Sequence, residues 1–275
     1  MTESLTNYTD PGLETLTIDV LPGKIVVLTI NRPDRMNSNT VRMFTEFGLA
    51  ARALRDTDAR ALILRGAGDK VFCAGFDLDE INVITTMGVR EFLKFQETAT
   101  GGIQALRFLP FPVIAAIHGP ATGGGLALAL AADIRLGDPR TKFSAAFVKV
   151  GLSAGELGTS YNLTRLIGPA RAAEICYTAR MVDAEESLRI GLLNHVHPAE
   201  SLMDEAVALA EQICRNSPGG VRLSKTAMQR NQENVSYAAA LELENRGQAL
   251  MTRTADMPEA LAAFLEKRDP VFTGE

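Results

Sequence analysis

An α/β fold built from repeated ββα units, followed by a helical region, is what three features of this sequence predict. Short β-rich runs alternate with amphipathic segments before about residue 200. A nearly uncharged stretch over 111–133 reads as a buried strand, a glycine turn and a buried helix. Beyond residue 200 only helical patterns remain. We therefore divide the chain into a loose tail over 1–13, an α/β core over 14–200 and a helical region over 201–275.

The elements follow in order. Leu16–Val20 and Ile25–Ile30 are β-rich runs around Leu21-Pro-Gly-Lys24, the pattern of a hairpin. Asn31–Asn37 is a polar loop. A helix starts near Asn39, because Met43, Phe47, Ala50 and Leu54 fall at i, i+4, i+7 and i+11. Ala61–Arg65 is the next strand, Gly66–Lys70 its turn, and Val71–Asp77 a short apolar piece closed by an acid. Residues 79–109 are longer, more polar and helical, with a mobile start around Thr85–Gly88. After the central stretch come a short strand over Asp133–Gly137 and an irregular segment over Phe143–Gly158, with a further strand over Leu192–Val196. Asp183-Ala-Glu-Glu186 and Asp256-Met-Pro-Glu259 each fit a capping box, with an acid as N-cap and Glu at N3.

The stretch over 111–133 has the length of a membrane span, but Pro112, Pro120 and Gly123–Gly125 break it. Its better parse is a strand over Val113–Ile117, the three glycines, and a helix from about Gly125 to Ala132. Glycines leave main-chain N–H groups open to a ligand, and the following helix aims its positive end at the same place. That combination suits developing negative charge.

Composition narrows the partners. The 275 residues carry a net charge of −5 and no basic run, so no nucleic acid is expected, and no membrane. Cys73, Cys176 and Cys214 form no CxxC or Cys/His ligand spacing, which favours a reducing, cytoplasmic setting and no metal site. The first ten residues are polar, so no signal peptide is expected. A dinucleotide fold lacks its fingerprint: Gly66-Ala-Gly68 has no third glycine, the triplet has no acid about 20 residues on, and no P-loop exists.

Three segments together resemble the enoyl-CoA hydratase/isomerase (crotonase) superfamily: Ile30–Asn37, Phe72–Asp77 and Pro112–Ile134. Thr164–Gly168, Asp183–Leu193 and Ala263–Arg268 agree as well, and the likeness spans about residues 14 to 272. It implies a crotonase-like spiral of ββα units over 14–200 and a C-terminal helical trimerisation region, giving a homotrimer or a hexamer of paired trimers. It also implies an acyl-CoA thioester as substrate, with no cofactor beyond the CoA that the substrate carries. Two backbone N–H groups, mapping onto Phe76 and Gly124, form an oxyanion hole. CoA contacts map onto Arg32, Met36, Ala74, Asp77 and Leu78. Phe264 and Lys267, read as i and i+3 on one helical face, match a pair that touches the adenine end from a neighbouring subunit; by themselves they read as a core residue and a solvated charge. Asp77 reads equally as a turn acid.

The sequence also departs from the family pattern. Hydratases of this family hold and activate water with two glutamates, whose positions here are Ala127 and Phe147. Neither residue transfers a proton, and hydration needs both a base and an acid. One carboxylate remains: Glu156 resembles the catalytic aspartate position of dienoyl-CoA isomerases, and alternatively reads as an acid favoured at a helix N-terminus. Double-bond isomerisation with Glu156 as acid/base is therefore expected, the alternatives being weak hydration or an acyl-CoA-binding protein without turnover. Phe76 replaces a usually small residue and narrows the acyl pocket. His118, at the end of the central strand, is either a substrate contact or a structural histidine, and Asp133 a tie for the central helix.

Overall fold

The structure is a computed structural model that describes residues 4–5, 11–233 and 236–274. Residues 1–3 and 6–10 of the expected tail lie outside the described residues. Leu5 is described and buried, its N–H donating to the Asp58 carboxylate at 2.8 Å.

Strands β1 (Leu16–Leu21) and β2 (Ile25–Ile30) form the expected antiparallel hairpin, and β2 then pairs in parallel with β3 (Ala61–Gly66). Helix α1 (Val41–Arg55) connects them. Thr40 caps α1 by accepting from the Met43 N–H at 3.0 Å, and Met43, Phe47, Ala50 and Leu54 are all buried. Full burial of a side chain such as Phe47 contributes about 2–3 kcal/mol. Helices α2 (Ile81–Thr86) and α3 (Val89–Arg107) follow, so the segment read as one helical stretch is split at Met87–Gly88.

The central stretch becomes β4 (Val113–Ile117), a short β5 (Pro120–Thr122) and α4 (Gly124–Ala131). After it come β6 (Ile134–Gly137), β7 (Lys142–Ser144), α5 (Thr159–Ile167), α6 (Pro169–Thr178), β8 (Val182–Asp183), α7 (Ala184–Arg189) and β9 (His195–Val196). Among the described residues only helices lie beyond: α8 (Leu202–Cys214), α9 (Pro218–Asn231), α10 (Tyr237–Met251) and α11 (Asp256–Glu266).

Two sheets result. The larger has the order β1-β2-β3-β4-β6-β9 and the smaller β5-β7-β8. Each turn of the chain leaves one strand in the large sheet and sends the next segment to the smaller layer. Two isolated bridges, Asn39 to Phe76 and Cys73 to Ala121, extend that second layer back through the earlier turns. This is the crotonase-like spiral.

Strand alternation sorts the core. In β4, Val113, Ala115 and Ile117 face the main core with α1, α3 and α4, while Ile114 and Ala116 face α8. Burial on both sides explains why β4 reads as a continuous apolar run. Helix α8 lies beyond residue 200, yet Leu202, Ala206 and Ala210 pack on the second face of the large sheet.

Two capping readings change. Asp183 does accept from the Glu186 N–H at 2.8 Å, but Glu186 pairs with Arg180 rather than closing the box. Asp256 is not a cap: α11 begins on it, and its carboxylate takes the Ser217 hydroxyl at 2.6 Å and the N–H groups of Thr273 and Gly274. Asp133 ties the start of β4, accepting from the Val113 N–H at 2.8 Å and pairing with the buried Lys225 at 2.7 Å.

Candidate active site

The second layer of the spiral brings the segment after β3 alongside the turn before α4. Ladder bonds run from the Thr122 N–H to the Cys73 carbonyl at 3.1 Å and from the Cys73 N–H to Pro120 at 3.3 Å. On its other side the segment pairs with Asn39, which takes the Asp77 N–H and donates to the Gly75 carbonyl. That register uses the peptide groups of residues 75 and 77 and leaves the Phe76 N–H on the opposite edge. Gly75 makes the approach possible. Its φ of 95° belongs to glycine, and a Cβ there would sit 2.8 Å from the Thr122 carbonyl and 3.6 Å from the Gly124 nitrogen.

Gly124 is the first residue of α4, so its N–H has no acceptor within the helix. The sequence reading leaves the glycine triplet open to a ligand, whereas the structure gives two of the vacated Cβ spaces to the protein. The Asn39 side chain fills the place beside Gly124, and the Cys73 carbonyl fills that beside Gly125. The glycines are needed for close packing, which sets the N-terminus of α4 against the 73–76 segment.

Phe76, Gly124, Ala74, Leu78 and Glu156 all line one cavity of about 130 Å³. Its walls are apolar. Phe44 of α1, Phe76, and Phe95 of α3 form a ring cluster with centroids 6.0–6.4 Å apart, and Phe92 adds a fourth ring. The Phe76 ring is part of the cavity wall. Phe147 also lines the cavity, while Ala127 is buried in α4 away from it.

Glu156 is the only titratable side chain on this lining among the described residues. It is not a helix cap: α5 starts after Gly158, in left-handed conformation, with no side-chain cap. Leu157 has φ 51°, an uncommon conformation for leucine, and the turn is closed by the Thr159 N–H on the Glu156 carbonyl at 2.8 Å. Burial raises the Glu156 pKa above the ordinary carboxylate range, and a hydrogen bond with the Gln96 side chain partly opposes the rise.

The remaining residues named from the sequence are distributed as follows. Met36 is exposed and joined to Ala74 through the Ala74 N–H on the Met36 carbonyl at 3.1 Å. Arg32 and Asp77 turn toward each other, 2.9 Å apart, and Arg32 also donates to the Ser38 carbonyl at 2.7 Å. Arg35, Ser38 and the Asp79 N–H complete the shell of Asp77. Burial alone pushes the Asp77 pKa up, but these donors outweigh it and hold it at about 2. Asp77 thus braces the loop that carries Met36. Phe264 is exposed on α11, away from the cavity. Lys267 does not share its helical face: α11 ends at Glu266, and Lys267 is its left-handed C-cap at φ 55°.

His118 also lies outside this cavity. It is buried beside Arg65 and Arg140, where burial lowers its pKa and its Nε2 has no partner among the described residues. His195 and His197 have ring centroids 5.9 Å apart, and no group of three or more metal-ligating side chains forms among the described residues. All three cysteines are free, and burial pushes the Cys73 thiol up to about 12. No described helix is long and apolar enough to cross a membrane.

The residues missed from sequence are those of α3. Phe92, Phe95, Gln96 and Ala99, at i, i+3, i+4 and i+7, face the cavity. Their periodicity is visible in the sequence, but the same stripe serves equally for packing against a core.

Paired backbone donors, an apolar cavity and a half-buried carboxylate that is alone on its lining among the described residues fit a carbonyl substrate, and the relatives agree. Residues 21–275 match the enoyl-CoA hydratase/isomerase family model. The chain belongs to the enoyl-CoA hydratase/isomerase family. It is 37% identical over 248 residues to the short-chain-enoyl-CoA hydratase of Clostridium acetobutylicum, covering 90% of this chain and 93% of that one. With "Probable enoyl-CoA hydratase EchA12" of Mycobacterium tuberculosis it shares 40% over 258 residues, 92% of this chain and 90% of the relative. The crystal structure of an enoyl-CoA hydratase from Bacillus anthracis superposes with a TM-score of 0.90 at 33% identity, covering 95% of this chain and 100% of that one. The protein is accordingly an enzyme of the enoyl-CoA hydratase/isomerase type.

Proposed function

We propose that this enzyme shifts the double bond of an enoyl-CoA thioester, with Glu156 as the acid/base. The observation that carries this reading is that, among the described residues, Glu156 is the one carboxylate lining the cavity shared with the Phe76 and Gly124 amides. The thioester carbonyl accepts from those two N–H groups. Glu156 then removes a proton from the α-carbon, the electron pair moves onto the carbonyl oxygen as a dienolate, and the same proton returns at the γ-carbon. The double bond moves from the 3 to the 2 position and nothing else is consumed. Preorganised donors at the oxygen lower the barrier, each contributing about 3–4 kcal/mol. A raised carboxyl pKa suits a group that both takes and returns a proton.

Hydration is the second reading, favoured by the names of the relatives. Against it stand Phe147 on the cavity wall and Ala127 buried in α4, with no second carboxylate on the lining among the described residues to hold a water. CoA is proposed to lie along Met36, Ala74 and Leu78, with Arg32 and Asp77 shaping that loop. Phe264 and Lys267 are proposed to serve a neighbouring subunit in a homotrimer or a hexamer, and the setting to be cytoplasmic.

The deciding assay follows conversion of 3-enoyl-CoA to 2-enoyl-CoA by wild type and Glu156→Gln. Turnover is expected to fall about 10²–10⁴-fold in the variant. Unchanged turnover would remove Glu156 from the chemistry, and crotonyl-CoA hydration outrunning the shift would make the enzyme a hydratase.

A further inference from the structure

We propose that a second cavity, between α9 and the C-terminal ends of α3 and α4, binds a phosphate dianion, free or as the ester of a small molecule. This site is separate from the reaction and does not depend on the role of Glu156.

The cavity has a volume of about 740 Å³, room for a small molecule, and shares no lining residue with the one around Glu156. Arg107 at the end of α3, Arg135 on β6, Arg165 on α5 and Lys225 on α9 line it. Asp133 is the one carboxylate on that lining among the described residues. Two of the cations are deeply buried, Arg135 being 4% exposed and Lys225 8%. Lys225 has Asp133 at 2.7 Å and the Phe111 carbonyl at 2.8 Å. Arg135 is less well served. Its Nε donates to the Leu192 carbonyl at 2.9 Å and its Nη1 to the Ala132 carbonyl at 2.8 Å, but Nη2 has no acceptor among the described residues. Burial pulls the Arg135 pKa down to about 10, Asp133 opposes the fall and Arg107 adds to it. Arg107 acts in the same direction on Lys225, so these charges feel one another.

Ordinary structural roles explain part of the cluster. Cations are favoured at helix C-termini, and Arg107 and Arg135 sit at those of α3 and α4. Each end offers about half a negative charge. Four cations against one carboxylate leave three positive charges in excess, and the two helix ends reduce the excess to roughly two. Holding like charges out of water is costly without a counter-charge. A phosphate group carries about two negative charges at neutral pH, where a carboxylate carries one. Its oxygens also suit the donors present. Guanidinium groups pair readily with phosphate, Arg135 has Nη2 to offer, and Lys225 has used two of its three protons.

The test is calorimetric titration of the full chain with inorganic phosphate and, separately, with ribose 5-phosphate. Arg107→Glu and Arg165→Glu each reverse one charge on the lining. Arg107 is half-buried and Arg165 exposed, so both variants are expected to fold, and circular dichroism checks this. One equivalent is expected to bind per chain, with Kd raised about tenfold or more in each variant. Turnover of 3-enoyl-CoA should stay at the wild-type level, because neither residue lines the cavity around Glu156. Tighter binding of ribose 5-phosphate would mark an esterified ligand and the reverse a free phosphate; either result upholds the site. Binding of neither probe, or an affinity that neither variant lowers, would overturn the proposal.

Discussion

Asp77 shows how much a single side chain decides at the rim of the cavity. It is a buried carboxylate between two arginines, and its pKa of about 2 lies below the ordinary 3.8. A depressed folded pKa stabilises the folded state above the unfolded pKa, and that contribution is lost as pH falls through the folded one. Asp77→Asn is therefore expected to cost roughly 2 kcal/mol at neutral pH. The difference from wild type should close as pH drops from about 4 toward 2, measured by urea unfolding. A gap that persists at the acid end would show that the ion pairs do not set it. The same scale marks what the sequence reveals of the site. Glu156, Phe76 and Gly124 are legible because each sits in a motif. Gln96 is not, because its stripe on α3 reads equally as core packing and only the fold turns it toward the cavity. Lys267 is misread for a different reason: a helix boundary moved by one residue turns a shared face into a left-handed cap.

Among the elements, the junction between the 73–76 segment and α4 matters most, since both proposed oxyanion donors depend on it. Gly75→Ala places a methyl 2.8 Å from the Thr122 carbonyl at a φ of 95°. The segment must swing away, taking the Phe76 amide with it. Thioester turnover is expected to fall about 10²-fold, the usual effect of losing one such donor. Circular dichroism should stay native, because the larger sheet is untouched. Wild-type kcat in this variant would mean that the Phe76 N–H plays no part. Most elements are legible from periodicity alone: β4 matches its expected bounds, and α1 buries the four residues its spacing selects. The second layer is harder to read. Its strands are two or three residues long, or single bridges, too short to show alternation, and pairing to distant segments defines them. The region 79–109 is helical as expected, but its break at Gly88 sets the separate α2 that helps wall the cavity.

At the scale of the whole molecule, the helical region has more apolar surface than one chain covers. Leu250, Leu261, Phe264, Leu265 and Val271 are exposed, Phe264 by 81% and Leu265 by 80%, and α10 has no buried residue. Large apolar side chains left exposed on α10, α11 and the segment after them point to an interaction face, and a closed ring of identical chains is a common way to cover one. The proposed trimer follows from that imbalance together with the family likeness. Sedimentation at micromolar concentration is expected to give three times, or six times, the chain mass of 29.6 kDa. Replacing Phe264 and Leu265 with aspartate puts two charges on the last turn of α11 and is expected to release monomers, because a buried unpaired charge is costly. The substituted side chains are exposed within the chain, so the fold itself should survive. A wild-type protein that sediments as a single chain at every concentration would refute the assembly, and with it the proposed role of α11 at a neighbour's CoA site.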